Sequence, residues 1–196
     1  MNKIKILAPA KINLSLDING IRNDGYHELE MIMQTVALYD IIKLKKIPQG
    51  IELSTSDENL PEDKDNLAYQ AAQLIKNRAE LTGGIAIELK KNIPIAAGLA
   101  GGSSDAAAVL KGVNKLYDLD YSYNTLVDMA KEIGTDVPFC LKGGTALATG
   151  KGDQLVQLPD INSQILILVK PPLSVSTPEI YKKYDKMTSE LDITTD

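Results

Sequence analysis

Alternation of apolar and polar residues marks the strands in the first third of the chain. In residues 11–18, KINLSLDI, every second residue is apolar, which is the period of a strand with one buried and one polar face. We expect the apolar set to point into the core and the polar set to point away: Ile12, Leu14, Leu16 and Ile18 against Lys11, Asn13, Ser15 and Asp17. Further on, IIKLKK and IELSTS flank Pro48-Gln49-Gly50 and predict a hairpin.

Helical spacing begins at Asn66, where the interval between apolar residues changes from two to three or four. That stripe ends before Gly83-Gly84. A second helix is predicted from about Ser103 to Tyr117. A third runs from Ser122 to Gly134, which are preferred residues for the two ends of a helix.

Short apolar runs between and after these helices predict the remaining strands. IAIEL precedes the second helix, TALAT and QLVQL flank a turn at GKGD, and ILILV at 165–169 predicts a short buried strand. Strands and helices therefore do not alternate strictly. The order predicts an α+β fold of two layers, with a mixed or antiparallel sheet and helices on one face.

Composition narrows the classes of function. The chain has 44% apolar and 24% charged residues, a mean hydropathy of −0.09 and a net charge of −5. These values are typical of a soluble globular protein and favour neither a nucleic-acid nor a membrane partner. A single cysteine, Cys140, excludes an internal disulfide and fits a reducing cytoplasm. Its setting, VPFCL, favours a packed thiol over a nucleophile, and Cys/His metal clusters are absent from the sequence.

The stretch GLAGGSSDAAA lies between a predicted strand and a predicted helix. Gly98, Gly101 and Gly102 allow a ligand to approach the backbone amides closely. Ser103 and Ser104 then open a helix, whose first N–H groups lack partners within the helix and favour an anion such as phosphate. On the residues alone, a packing turn of small residues with a serine cap is an equally good interpretation.

Two familiar phosphate-binding patterns are excluded by spacing. The Walker A loop needs Lys followed by Ser or Thr after its last glycine, and Gly102 is followed by two serines. The dinucleotide pattern G-x-G-x-x-G is missing from this stretch. The downstream run from Gly144 to Lys151 has one residue too many for Walker A, so we interpret it as a hairpin turn.

Three segments together carry a family resemblance. PIAAGLAGGSSDAA, residues 94–107, resembles the phosphate-binding loop of the GHMP small-molecule kinases. APAKINLSLDI and RNDGYHEL, within residues 8–29, and GTDVPF, residues 134–139, are similar to one branch of that family. The resemblance implies a GHMP kinase N-terminal domain at 1–160, of the type seen in domain 2 of ribosomal protein S5. Residues 161–196 would begin a C-terminal domain.

The resemblance also implies a reaction and its ligands. ATP, carrying Mg²⁺, would phosphorylate the 2-hydroxyl of a small-molecule substrate, cytidine-diphosphate methylerythritol, in the non-mevalonate route to isoprenoids. No metal site on the protein itself is expected. Asn66 is interpreted as a helix N-cap, as part of the adenine pocket, or as both. The residues expected to bind ATP are Asn66, Pro94, Ile95, Ala96, Ala97, Gly98, Leu99, Ala100, Gly101, Gly102, Ser103 and Ser104.

Catalytic roles follow from the same resemblance. The position of Asp136 is that of the base for the acceptor hydroxyl, and the position of Lys11 keeps that pair polarised. A nearby ammonium would keep the carboxylate ionised and offset charge on the forming alkoxide. Without the resemblance, a solvated strand-end lysine and a helix-terminal aspartate would be the favoured interpretations.

A second set of residues is expected to bind the acceptor. By resemblance, Tyr26 stacks on cytosine, His27 hydrogen-bonds to the base edge, and Tyr181 covers the other ring face. Taken alone, Tyr26-His27 is typical of a surface loop, and Tyr181 is as well explained as a core aromatic. Asn13, on the same strand face as Lys11, and Thr177 complete the expected acceptor site.

The resemblance predicts that the chain stops soon after the second domain begins. We therefore expect a fragment or truncated product that binds ATP weakly, turns over little substrate, and is mobile or packed on another chain after about Pro159. The alternatives are a noncatalytic nucleotide-binding fragment and a GHMP kinase for another alcohol, against which Tyr26-His27 argues. The sequence leaves the oligomeric state open.

Overall fold

Two long antiparallel strands begin the sheet in the computed structural model, which describes residues 1–171 and 177–190. β1 is Lys3–Ile21 and β2 is His27–Ile47, paired from Lys3–Lys45 to Ile21–His27. The predicted turn joins them. Gly25 has a φ of +80°, which favours glycine, and the Asp24 carboxylate accepts a hydrogen bond from the Tyr26 backbone N–H at 3.2 Å.

The other strands add to the free edge of β2. They are β3 Ile51–Thr55, β4 Gly84–Lys90, β5 Thr145–Gly150 and β6 Gln154–Leu158. β1 covers one edge of β2, while β5 and β4 share the other edge, beside residues 29–34 and 41–47 respectively. The result is an open six-stranded mixed sheet in the order β3-β4-β2-β5-β6, with β1 attached to β2.

The predicted hairpin between β2 and β3 is wrong. β4 lies between the two strands and pairs parallel with β3 and antiparallel with β2. The alternating apolar residues of β4, such as Ile85 and Ile87, are at most 2% exposed, as expected for an inner strand. Gly84 permits this insertion, because a Cβ there would lie 2.3 Å from the Gln49 backbone.

The predicted helices are present, and the caps predicted at Asn66, Ser122 and Gly134 are confirmed, whereas the second helix has no serine cap. They are α1 Leu67–Arg78, α2 Gly101–Leu116 and α3 Tyr123–Ile133, followed by a six-residue α4 Val137–Lys142 and by α5 Thr177–Glu190. The Asn66 and Ser122 side chains accept hydrogen bonds from backbone N–H groups of the first turns of α1 and α3. Helices and sheet form the predicted two-layer fold around one buried apolar cluster.

The short helix α4 was not predicted. Its apolar run, VPFCL, is too short for helical periodicity to be distinguished from a buried strand. Cys140 lies in it, 6% exposed, and burial raises the pKa of its thiol to about 12. The cysteine is therefore a packed core residue, as predicted.

The prediction that Leu14 and Leu16 are buried and Lys11 is exposed is wrong. Leu14 and Leu16 are 47% and 41% exposed, whereas Lys11 is 6% exposed. Register shifts between Pro9 and Lys11 and between Asn13 and Ser15 interrupt the two-residue alternation on which that prediction depended. The sheet therefore buries a lysine that the pattern had assigned to solvent.

The predicted buried strand at 165–169 is also wrong. Residues 159–171 form no regular element, and Ile165, Ile167 and Val169 are 97%, 87% and 85% exposed. A buried strand needs neighbours for its backbone and both of its faces, and no described strand pairs with residues 165–169. The predicted domain boundary at residue 160 stays a prediction.

No helix in the described parts of the chain is both long and apolar enough to cross a membrane.

Candidate nucleotide and catalytic site

A pocket of about 320 Å³ lies where the chain passes from β4 into α2. The start of α1, at Asn66 and Leu67, forms its opposite wall, and Lys91 and Asp105 lie at its base. Every residue from Pro94 to Gly102 that was expected to bind ATP lines this pocket. Ser103 and Ser104 follow within α2, where the Ser104 hydroxyl donates to the Pro9 carbonyl at 2.7 Å.

Several residues of the loop before α2 have the left-handed backbone conformation. Ala96, Gly98 and Ala100 have φ angles of +52°, +71° and +53°, and for the two alanines this conformation costs free energy. A Cβ on Gly98 would have no atom within 4 Å, so a ligand has access to its backbone. Ala100 is the N-cap of α2 and makes no side-chain cap hydrogen bond, which leaves the first N–H groups of the helix suited to an anion.

Asn66 fixes the opposite wall of the pocket. Its side-chain oxygen accepts from the Ala68 N–H at 2.9 Å, and its amide donates to the Pro61 carbonyl at 2.9 Å. The residue is 8% exposed. The predicted N-cap is therefore confirmed, while a contact between Asn66 and adenine stays a prediction.

Three buried charged residues beneath the loop were missed by the sequence analysis. The Lys91 ammonium pairs with Asp40, and with Asp105 at 2.7 Å. The second oxygen of Asp40 accepts from the backbone N–H groups of Asn92 and Ile93 at 2.6 and 2.9 Å. This cluster joins β2, the start of the loop and a residue near the start of α2. A charged residue within the apolar run VALYDII and another in an alanine-rich helix start were the available indications.

The charged form of the Asp105 carboxylate is disfavoured by burial. Burial, reinforced by the charge of Asp40, raises its pKa to about 7 even though Lys91 lowers it. Its Oδ1 atom is buried without a hydrogen-bond partner among the described residues. For Lys91, burial lowers the pKa, but the two carboxylates outweigh it and raise the pKa above its usual value.

The predicted catalytic pair lies at the far end of the loop. The Lys11 ammonium is 3.5 Å from an Asp136 carboxylate oxygen and donates to the Asn13 side chain at 3.1 Å. The backbone N–H of Lys11 donates to the Leu99 carbonyl at 3.1 Å, which fixes the pair beside the loop. Lys11 is nearly buried and the Asp136 side chain is 31% exposed, so this carboxylate is accessible to a ligand.

The predicted acceptor residues lie around His27, at the start of β2. Its ring stacks on that of Tyr181, with centroids 4.4 Å apart and planes 19° apart. Its Nε2 is 2.7 Å from an oxygen of Asp185, also on α5. Tyr26 is 57% exposed, and the Lys151 ammonium lies 5.2 Å from its ring centre. Thr177 begins α5, and its side chain lies outside the described residues.

Tyr181, which stacks on His27, is also close enough to Asp136 to be affected by its charge. Burial, together with the negative charge of Asp136, raises the pKa of its phenol. The residues expected to act in catalysis and in acceptor binding are therefore close enough to interact. Their roles are considered below.

Comparison with known proteins identifies the class. Residues 66–144 match the family described as "GHMP kinases N terminal domain". The predicted family and fold class are thus confirmed. The crystal structure of a homoserine kinase from Cytophaga hutchinsonii superposes with a TM-score of 0.66 at 18% identity, over 95% of this chain and 65% of that chain, which is evidence for the fold alone.

More similar relatives point to one branch of the family. A Clostridium botulinum protein (strain Eklund 17B / Type B) named 4-diphosphocytidyl-2-C-methyl-D-erythritol kinase is 50% identical over 93% of this chain and 65% of its own length. One from Caldicellulosiruptor saccharolyticus with the same name is 52% identical over 91% and 62%. A crystal structure of 4-(cytidine 5'-diphospho)-2C-methyl-D-erythritol kinase superposes with a TM-score of 0.76 at 38% identity, covering 91% of this chain and 63% of that chain. The chain thus spans slightly less than two thirds of these relatives.

Proposed function

We propose that this chain supplies the ATP site and the catalytic base of a kinase that phosphorylates cytidine-diphosphate methylerythritol at its 2-hydroxyl. The observation that carries the proposal is the Lys11–Asp136 pair, 3.5 Å apart and tied through Leu99 to the end of the glycine loop. Relatives about 50% identical bear the name of this kinase. We place the enzyme in the cytoplasm, in the non-mevalonate route to isoprenoids.

The loop and the first turn of α2 bind the phosphates of ATP in this proposal. Phosphoryl transfer depends mainly on positioning and on neutralising charge, since the protein performs little covalent chemistry. Left-handed residues at Ala96, Gly98 and Ala100 orient the loop, and the helix N-terminus favours negative charge. Asn66, on the opposite wall of the pocket, lies next to the adenine.

Mg²⁺ would be carried into the site by the phosphates of ATP. No group of three or more His, Cys, Asp or Glu residues within the described ranges could hold a metal ion. Mg²⁺ is often bound by substrate phosphates and water with only one or two carboxylates. Bound in that way, it would neutralise phosphate charge during transfer.

Asp136 accepts the proton of the acceptor hydroxyl as its oxygen attacks the terminal phosphate of ATP. The ammonium of Lys11 stabilises both the carboxylate and the alkoxide that forms. Asn13 holds that ammonium in place through a 3.1 Å hydrogen bond and contacts the acceptor. Because Lys11 is nearly buried, its charge is poorly screened by water.

Cytosine is recognised at His27 in this proposal. Tyr26, which is largely exposed, stacks on one face of the base, and Tyr181 lies on the other side of the site with Thr177. Stacking on an aromatic ring is worth about 1–3 kcal/mol per base. Residues 161–196 form the beginning of a second domain, and a noncatalytic nucleotide-binding role for the present chain is the alternative.

The test measures binding and turnover separately. Calorimetry with ATP and with CDP should detect both nucleotides on this chain, and His27→Ala should weaken CDP while leaving ATP unchanged. Turnover of cytidine-diphosphate methylerythritol should be slight for this chain. It should be restored in a fusion to the remaining third of the Clostridium relative. Equal losses of CDP and ATP in His27→Ala, or an inactive fusion that binds both nucleotides, would contradict the proposal.

A further inference from the structure

The hydrogen bond between His27 and Asp185 determines which ring nitrogen of the histidine carries hydrogen. The His27 Nε2 lies 2.7 Å from Asp185 Oδ1. An ionised carboxylate only accepts hydrogen bonds, so Nε2 must be the donor. In the neutral imidazole, Nδ1 then has no hydrogen and offers a lone pair. No described residue forms a hydrogen bond with Nδ1, which leaves it available to a ligand.

The helix α5 also fixes the plane of the histidine ring. Tyr181 stacks on it at 4.4 Å, and the ring of Tyr184 meets it at 80° with centroids 6.5 Å apart. Tyr181 and Asp185 are four residues apart, so they share one face of α5. The same helical turn therefore sets the orientation of the ring and the position of its hydrogen. His27 itself is nearly enclosed, with 11% of its side chain exposed.

We propose that Asp185 is a specificity-determining residue that makes the site prefer cytosine to uracil. By keeping the hydrogen of His27 on Nε2, it leaves Nδ1 as an acceptor. Cytosine presents an amino donor at the position where uracil presents a carbonyl acceptor. The amino group of cytosine can donate to Nδ1. The carbonyl oxygen of uracil would place its lone pair against that of Nδ1, and no hydrogen bond could form. This inference rests on the proposed recognition of the base at His27.

The expected discrimination follows from the value of one base-edge contact. A well-formed contact to a base edge distinguishes bases by about 10- to 100-fold in affinity. Replacing Asp185 by Asn retains the shape but allows the side chain either to accept from Nε2 or to donate to it. Both histidine tautomers then become accessible, and a tautomer with hydrogen on Nδ1 can pair with uracil.

The first experiment observes the tautomer directly. The chain contains a single histidine, so the imidazole signals in ¹⁵N NMR can come from no other residue, and only Nδ1 and Nε2 must be distinguished. In the parent chain at a pH where His27 is neutral, we expect Nε2 to be protonated and Nδ1 not. Asp185→Asn should give a mixture of tautomers. Glu179→Gln, which removes an exposed carboxylate from the same helix, is the matched control and should leave the spectrum unchanged.

The second experiment measures selectivity by calorimetry with CDP and UDP. We expect the parent chain and Glu179→Gln to prefer CDP by about 10- to 100-fold. Asp185→Asn should reduce the ratio to within about threefold, while ATP affinity stays constant as a check on folding. Asp185→Glu, which keeps an acceptor, should recover part of the preference.

The outcomes separate the two proposals. A parent chain that prefers CDP, together with an Asp185→Asn variant that keeps both the preference and the tautomer, would overturn the role of Asp185 alone. A parent chain that does not bind CDP, or binds CDP and UDP equally, would overturn cytidine recognition at His27 and this inference with it.

Discussion

The candidate site has a proposed phosphate side, at the loop of residues 94–102, and a proposed base side, at Tyr26 and His27. The two sides are built in different ways. On the phosphate side, the loop is held by Asp40, Lys91 and Asp105, whose side chains are at most 7% exposed. On the base side, Tyr26 is 57% exposed, and His27 is held by α5. That helix follows residues 159–171, which form no regular element. The phosphate side is therefore stabilised by the domain core, whereas the base side depends on a distant segment of chain.

The proposed catalytic pair, Lys11 and Asp136, gives the largest expected effect. Replacing Asp136 by Asn removes the proton acceptor with little change in shape, so kcat should fall by about 10²- to 10⁴-fold. ATP affinity should persist, because the loop is unaltered. Steady-state kinetics on the active fusion would measure this. Asp128→Asn, at an exposed position of α3, is the control, and unchanged turnover in Asp136→Asn would make Asp136 a structural residue.

The buried cluster beneath the loop should be the most sensitive point for stability. Lys91→Met would leave Asp40 and Asp105 facing each other without their shared cation, which should cost about 3–5 kcal/mol of unfolding free energy. The control is Lys43→Met, which breaks an exposed pair with Glu88 and should cost about 1 kcal/mol or less. Urea denaturation measures both. Similar losses in the two variants would show that burial of the cluster does not increase its contribution to stability.

Asp105 should make stability depend on pH. Its pKa is about 7 in the folded chain and 3.8 as the ordinary value. Between these values the folded state holds the proton more tightly, so this group lowers the unfolding free energy as pH rises, by at most about 1.4 kcal/mol per pH unit. Asp105→Asn lacks this loss, so its stability relative to the parent should increase from pH 4.5 to pH 7. Parallel curves from urea titrations would contradict this.

Two helix caps distinguish a structural role from a role in binding. Asn66→Ala and Ser122→Ala each remove an N-cap and should each cost about 0.5–2 kcal/mol of stability. Only Asn66 lines the pocket, so only its replacement should weaken ATP binding in calorimetry. An equal loss of ATP affinity in both variants would indicate a general effect of instability.

The base side should respond least in stability. Asp185→Ala removes one partly exposed hydrogen bond from α5, so the unfolding free energy should change by about 1 kcal/mol or less. Thermal denaturation would test this against Lys91→Met. A loss as large as that of Lys91→Met would show that α5 belongs to the same cooperative unit as the core.

Local features were predictable because they depend on neighbours in the sequence. The caps at Asn66, Ser122 and Gly134 were assigned correctly, since a cap is satisfied within one helical turn. The glycine loop was also placed correctly between β4 and α2. The convergence of Lys11 and Asp136 was expected only from the family resemblance, because no local pattern relates positions so far apart.

By itself, then, the sequence determined the helices α1, α2 and α3, the turn at Asn23-Asp24-Gly25 and the position of the loop, because periodicity, caps and turn residues act over a few positions. Only the tertiary structure decided that β4 lies between β2 and β3, that Lys11 is buried while Leu14 is exposed, and that Lys91 bridges two carboxylates. Strand order and charge burial depend on which distant segments meet. Any strand can satisfy the backbone hydrogen bonds of another, and any opposite charge can pair with a buried one, so the local sequence does not specify the partner.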